Sequence, residues 1–222
     1  MKIITLALLA VLPQLGFAQQ NMPNNQRSTE MQFPSPNEDL LQEHAILNRL
    51  LFIYDEISYR LENRLHLLPS TLNNTAKLMR SFTEDYHDKL EEEYIFPEFK
   101  NNEKLAGLVK ALKAQHDLGR TLTDYILAHS NDEDMSDEVQ RLTLADVLRF
   151  YARIFRAHEA REDNIVFPAF QRIVPEEEYL KIGKKFDERK SQLYGKDGLE
   201  KVASEISKIE GQLDMRSPRY SR

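Results

Sequence analysis

His87-Asp-Lys-Leu-Glu-Glu-Glu-Tyr-Ile-Phe-Pro97 and His158-Glu-Ala-Arg-Glu-Asp-Asn-Ile-Val-Phe-Pro168 place His, Glu, Phe and Pro at the same offsets twice in one chain. On a helix, a His and a Glu four positions apart lie one turn apart on one face. Each phrase therefore aims an imidazole and a carboxylate at a common point, His87 with Glu91 and His158 with Glu162. A lone His precedes each phrase by a nearly equal interval, His44 before the first and His116 before the second. The chain thus reads as two copies of one helical hairpin, each carrying two His and one Glu.

Working outward, the apolar spacing is helical. Ser35-Pro36-Asn37-Glu38 has the form of a capping box with Pro at the first helical position, which predicts a helix start just before Leu40. Leu40, His44, Leu47, Leu51, Tyr54, Leu61 and Leu65 then recur at spacings built from three and four. A second stripe runs through Met79, Thr83, His87 and Leu90 to Tyr94, and a third through Leu105, Val109, Leu112, His116, Gly119 and Ile126. After a polar break, Ser130 to Asp134, a fourth follows Leu144, Val147, Tyr151, Ile154, His158, Glu162 and Ile165. Phe96-Pro97 and Phe167-Pro168 are expected to end the second and fourth helices, because proline blocks helix propagation. The fold class is all-α: an antiparallel, up-down-up-down four-helix bundle over residues 36–173 with additional C-terminal helices over 174–214. Pro175 opens one of these, to about Tyr194, and Asp197-Gly198 precedes the other, Leu199 to Leu213.

The ends have a different character. Lys2, a largely apolar run from Ile3 to Leu12 and the small residues of Gly16-Phe17-Ala18 give residues 1–18 the form of a cleavable secretory signal. The run is too short to span a bilayer, so stable membrane insertion is not expected, and the protein is expected to be secreted or periplasmic. Residues 19–35 read as a flexible leader and 215–222 as a basic tail.

Composition narrows the chemistry. Thirty basic against 36 acidic residues give a formal net charge of -6, which disfavours a nucleic-acid partner. Seven Gly in 222 residues disfavour a glycine-cradled nucleotide site. With no Cys, disulfides, iron–sulfur clusters and thiolate zinc sites are excluded, and any metal must be held by His and carboxylates.

One His-x-x-x-Glu on a helix is more often a surface pair than a ligand pair. The joint pattern reverses this, because burying four His and two Glu toward one core is costly without a cation. Imidazole and carboxylate without thiolate suit iron, with zinc and manganese as competitors. If Glu91 and Glu162 bridge two irons with two His each, a solvent-derived bridge still leaves about one open position per octahedral iron, where a small ligand can enter. His66 and His129 fall near helix ends and are expected in solvent. Tyr86, Tyr94 and Tyr151 are expected in the core. For Glu43, Asp117 and Glu159 a solvated face is the first expectation, and orientation of a neighbouring ring the second.

These residues resemble the hemerythrin-like family in its His-His-Glu cation-binding form. Glu43-His44, the His87–Pro97 phrase, Gln115-His116-Asp-Leu-Gly-Arg120 and the His158–Pro168 phrase carry the resemblance, and Phe186 to Glu210 is similar to a C-terminal extension seen in some members. Membership implies a four-helix bundle around two non-haem iron ions, oxo- or hydroxo-bridged, with ligands His44, His87, Glu91, His116, His158 and Glu162. It also implies a small diatomic or peroxide ligand such as dioxygen, nitric oxide or peroxide, in sensing, storage or protection. Redox catalysis and iron donation at the same site are the alternatives. The chain departs from the oxygen carriers in two places. Arg120 stands where they have a second third-helix His, and the last carboxylate is Glu162, four rather than five residues after its His. Arg120 is expected in solvent, with balance of a carboxylate at the pocket edge as the other reading.

Overall fold

The structure is a computed structural model that describes residues 34–215. The expected export signal, most of the leader and the tail beyond Met215 lie outside the described residues. The elements are α1 (Pro36–Glu62), α2 (Pro69–Leu78), α3 (Asp88–Leu90), α4 (Ala106–His129), α5 (Asp132–Ser136), α6 (Glu138–Arg161), α7 (Phe167–Ile173), α8 (Glu176–Tyr194) and α9 (Gly198–Gln212). No strand occurs among the described residues, and no described helix is long and apolar enough to cross a membrane.

The capping box forms as the sequence dictates. The Ser35 hydroxyl accepts from the Glu38 amide, the Glu38 carboxylate accepts from the Ser35 amide at 2.9 Å, and Pro36 occupies the first turn, where its missing N–H costs nothing. α1 packs along α6, α6 also against α4, and α2 against α4. Leu50, Leu51, Ile53, Tyr54 and Ile57 of α1 and Leu144, Leu148 and Tyr151 of α6 are fully buried. α1 ends at Glu62, and Arg64 takes a left-handed conformation (φ 51°) that sends Leu65 into solvent, so Leu65 does not extend the core stripe. The polar break after α4 holds the short helix α5, started by the Asn131 side chain accepting from the Asp134 amide at 2.9 Å.

The two Phe-Pro pairs do not simply stop their helices. The path from α2 onward widens into a π-helix over Met79–His87, narrows through α3, widens again over Glu91–Ile95, and closes in a 3₁₀ turn, Phe96–Phe99. After α6 the chain again widens over Glu162–Val166, then continues as α7 straight through Pro168. In both halves the Phe amide donates five residues back, from Phe96 to the Glu91 carbonyl and from Phe167 to the Glu162 carbonyl. A proline has no N–H for an i−4 bond and its ring clashes with that carbonyl, and the wider turn relieves both problems. The extra residue per turn also shifts the register. Ile165 faces solvent, and Val166 takes the fully buried position instead.

α8 and α9 lie against α1, with Phe186 and Ile206 fully buried beneath them. Arg49 makes a two-pronged pair with Glu210 at 2.8 Å for each contact, and Lys190 pairs with Asp39. The turn between α8 and α9 uses Gly195 at φ 79° and Gly198 at φ 42°, conformations that side chains other than glycine's resist.

Gly119 marks a close helix contact. A Cβ there would stand 2.5 Å from Phe155 Cζ, and that ring is stacked on Tyr151 with centroids 4.4 Å apart. Gly119→Ala is expected to destabilise the fold by ~1–3 kcal/mol through overpacking, despite alanine's better helix propensity. Urea unfolding measures this, and a stabilised variant would contradict it.

Candidate metal centre

All six sequence-predicted residues meet in one buried chamber. His44 comes from α1, His87 from the end of the first π-helical segment and Glu91 from the start of the second. His116 comes from α4, His158 from α6 and Glu162 from the π-helical turn after it. Each is at most 2% exposed. The imidazoles pair within each half of the repeat: His44 Nε2 lies 3.0 Å from His87 Nε2, and His116 Nε2 lies 3.0 Å from His158 Nε2. The carboxylates span these pairs. Glu91 directs Oε1 to His87 Nε2 (3.8 Å) and Oε2 to His116 Nε2 (3.3 Å), while Glu162 directs Oε1 to His158 Nε2 (2.9 Å) and Oε2 to His44 Nε2 (3.6 Å). Two clusters of possible cation donors result, His44 with His87 and Glu91, and His116 with His158, Glu91 and Glu162.

The outer ring nitrogens fix what the inner ones can do. His44 Nδ1 faces Asp163 Oδ1 (2.7 Å), His87 Nδ1 faces Glu43 Oε2 (2.8 Å), His116 Nδ1 faces Glu92 Oε1 (3.2 Å) and His158 Nδ1 faces Gln115 Oε1 (3.0 Å). All four partners are acceptors, so each neutral ring carries its proton on Nδ1 and turns an Nε2 lone pair inward. Two lone pairs 3.0 Å apart need a proton or a cation between them. The four oxygens of Glu91 and Glu162 have no hydrogen-bond partner among the described residues, only imidazole nitrogens opposite them. Orphaned anionic oxygens in a buried site are costly, and this donor set fits a pair of cations.

Electrostatics of the metal-free chamber agree. Burial and the neighbouring Glu162 charge push the Glu91 carboxyl up to about 7. Burial would lower the His87 imidazole, but Glu91 and Glu43 on either side push it up to about 10. Protons thus stand in for positive charge where cations are absent, and cation binding must displace them.

The ring partners correct the solvent expectation. Glu43 is fully buried and also accepts from the Tyr86 hydroxyl. Glu159 is buried and receives the Asn48 amide, though it orients no ring. Only Asp117 stays exposed. Arg120 is not left to solvent: it donates to Glu92 at 2.7 Å and Asp117 at 2.8 Å. Tyr86 and Tyr151 are core residues, Tyr94 is half-buried against Phe186, and His66 is exposed. His129 is half-buried and faces Asp134 at 2.9 Å. Three contributors went unrecognised in the sequence: Glu92, Gln115 and Asp163. The repeat could have found them. Glu92 and Asp163 each follow a matched Glu, and Gln115 precedes its His as Glu43 does.

Beside the chamber, Glu84 is fully buried, accepts from Thr123 at 2.5 Å and pairs with Arg80 at 2.8 Å. Burial pushes its carboxyl up to about 7 from an ordinary 4.5. Between those values the folded chain holds a proton that the unfolded chain has released. This group's contribution to stability is therefore full below about 4.5 and declines as pH rises to 7. Glu84→Gln is expected to remove a decline of about 2–3 kcal/mol in the metal-free protein. Unfolding free energies at pH 5 and pH 8 test this, and an unchanged difference in the variant would contradict it.

Fold and chamber together define a helical protein with a buried His and carboxylate site suited to cations. The chain belongs to the hemerythrin family: residues 35–170 match the Hemerythrin HHE cation binding domain. Proteins from Mycobacterium bovis and Mycobacterium tuberculosis, each described as uncharacterized, are 36% identical over 191 residues, covering 86% of this chain and 74% of theirs. No solved structure matches.

Proposed function

We propose that the protein is an exported non-haem di-iron protein that binds a small diatomic or peroxide ligand, in sensing, storage or protection. The reading includes an antiparallel four-helix bundle over 36–173 with a C-terminal extension over 174–214. His44 and His87 would hold one iron and His116 and His158 the other, with Glu91 and Glu162 bridging. The single observation that carries it is the alignment of each carboxylate's two oxygens with different His pairs. An iron pair supplies redox-active coordination of small oxygen- or nitrogen-containing ligands. The chain's part is to turn four Nε2 lone pairs inward, hold them with fixed outer acceptors and exclude bulk water. Metal analysis of protein purified after iron supplementation tests this, with about two irons per chain expected. A folded, metal-free product that also resists reconstitution would overturn it.

Turnover of oxygen, peroxide or nitric oxide is the second reading. It is favoured by the donor count, since two imidazoles and two carboxylate oxygens per position fall short of an octahedral set. Stopped-flow mixing of the reduced protein with each ligand separates the two: a stable reversible adduct supports binding, and repeated consumption supports catalysis.

A further inference from the structure

The repeat makes the two halves of the centre a matched comparison, and they differ in charge at equivalent places. His87 leans on the Glu43 carboxylate, whereas its counterpart His158 leans on the neutral Gln115 amide. His44 leans on Asp163, for which no cationic side chain is recorded within 4 Å among the described residues. Its counterpart His116 leans on Glu92, whose charge is countered by Lys89 at 2.8 Å, Arg120 at 2.7 Å and Lys113 at 3.7 Å. Arg120 also stands 3.7 Å from Asp88, a carboxylate that itself lies 3.7 Å from His116 Nε2, while the equivalent Asn48 offers Glu159 only a neutral amide. A carboxylate accepting from Nδ1–H makes the opposite nitrogen a stronger donor, and a neutral or charge-compensated acceptor does so less.

Resting on the di-iron reading above, we infer that the two cation positions are unequal. The position between His44 and His87 is the tighter one and fills first, with Glu43 and Gln115 as the positioning residues that set the difference. The position between His116 and His158 is the weaker one, and its cation is the one more readily exchanged.

Stepwise titration of the metal-free protein with Zn²⁺, followed by calorimetry, reads the difference without any activity assay. Two steps are expected, separated by about tenfold or more in dissociation constant, the range expected when an outer partner of a metal-bound His changes. Glu43→Gln keeps the shape of the acceptor and should weaken the first step about tenfold, merging it with the second. Gln115→Glu should tighten the second step and leave the first in place, and it probes the same claim should the buried Glu43 variant fold poorly. His158→Ala should abolish the weak step and spare the tight one. Two equal steps in the wild type, or a Glu43→Gln variant that weakens only the second, would overturn the inference while leaving the paired-cation reading intact. Failure to take up two cations at all would overturn both.

Discussion

Glu91→Gln is expected to weaken both cation positions at once, by at least about a hundredfold each, or roughly 2.7 kcal/mol or more per position. The reason is geometric: Oε1 faces His87 and Oε2 faces His116, so one carboxylate serves both pairs. An amide presents one oxygen and no net charge, which leaves one position with the Glu162 oxygen as its remaining carboxylate donor and the other with a neutral donor in place of an anionic one. His87→Ala, by contrast, should chiefly affect the position it shares with His44. Calorimetric titration of both variants checks this. A Glu91→Gln variant that loses only one cation would show that the carboxylate does not bridge.

Loading the centre should stabilise the fold more than any single side chain does. A ligand present at a thousandfold its dissociation constant adds ~4 kcal/mol, so two cations add ~8 kcal/mol. For a chain of this size that corresponds to a rise in the unfolding midpoint on the order of 20 °C, reversed by a chelator. The stabilisation has an identifiable source. Without cations the folded state must keep the Glu91 and Glu162 oxygens unpaired or neutralise them with protons, and the unfolded state has no such obligation. Calorimetric scans with and without metal measure the effect, and coincident midpoints would contradict it.

The convergence of six residues was legible because the repeat supplied what one motif lacks. Two matched His-x-x-x-Glu phrases with a lone His before each leave little freedom in where the six can go. Helix existence was legible as well, from the stripes and the Ser35 cap. The π-helical turns were not, because a helical stripe assumes 3.6 residues per turn, and Ile165 was placed inward on that assumption. Pro97 and Pro168 carried the missing signal, but a proline reads first as a stop. Glu43, Glu159 and Arg120 were misplaced for another reason: a charged residue is exposed by default, and only three-dimensional packing shows that Tyr86, Asn48 or Glu92 waits opposite it. The amphipathic character of α8 and α9 was readable, whereas their seat on α1 depends on pairs such as Arg49 with Glu210 that no local pattern announces.

The outer acceptors of His44 and His116 come from the opposite half of the repeat, Asp163 reaching back to the first and Glu92 forward to the second. Neither half therefore owns a finished pocket. Separation of the two would undo both at the same instant, so escape of a bound ion to a scavenger should keep time with opening of the seam between the halves. Hydrogen exchange of the backbone amides along α1 and α6 should then run on the same clock as metal release, whichever ion the pocket holds.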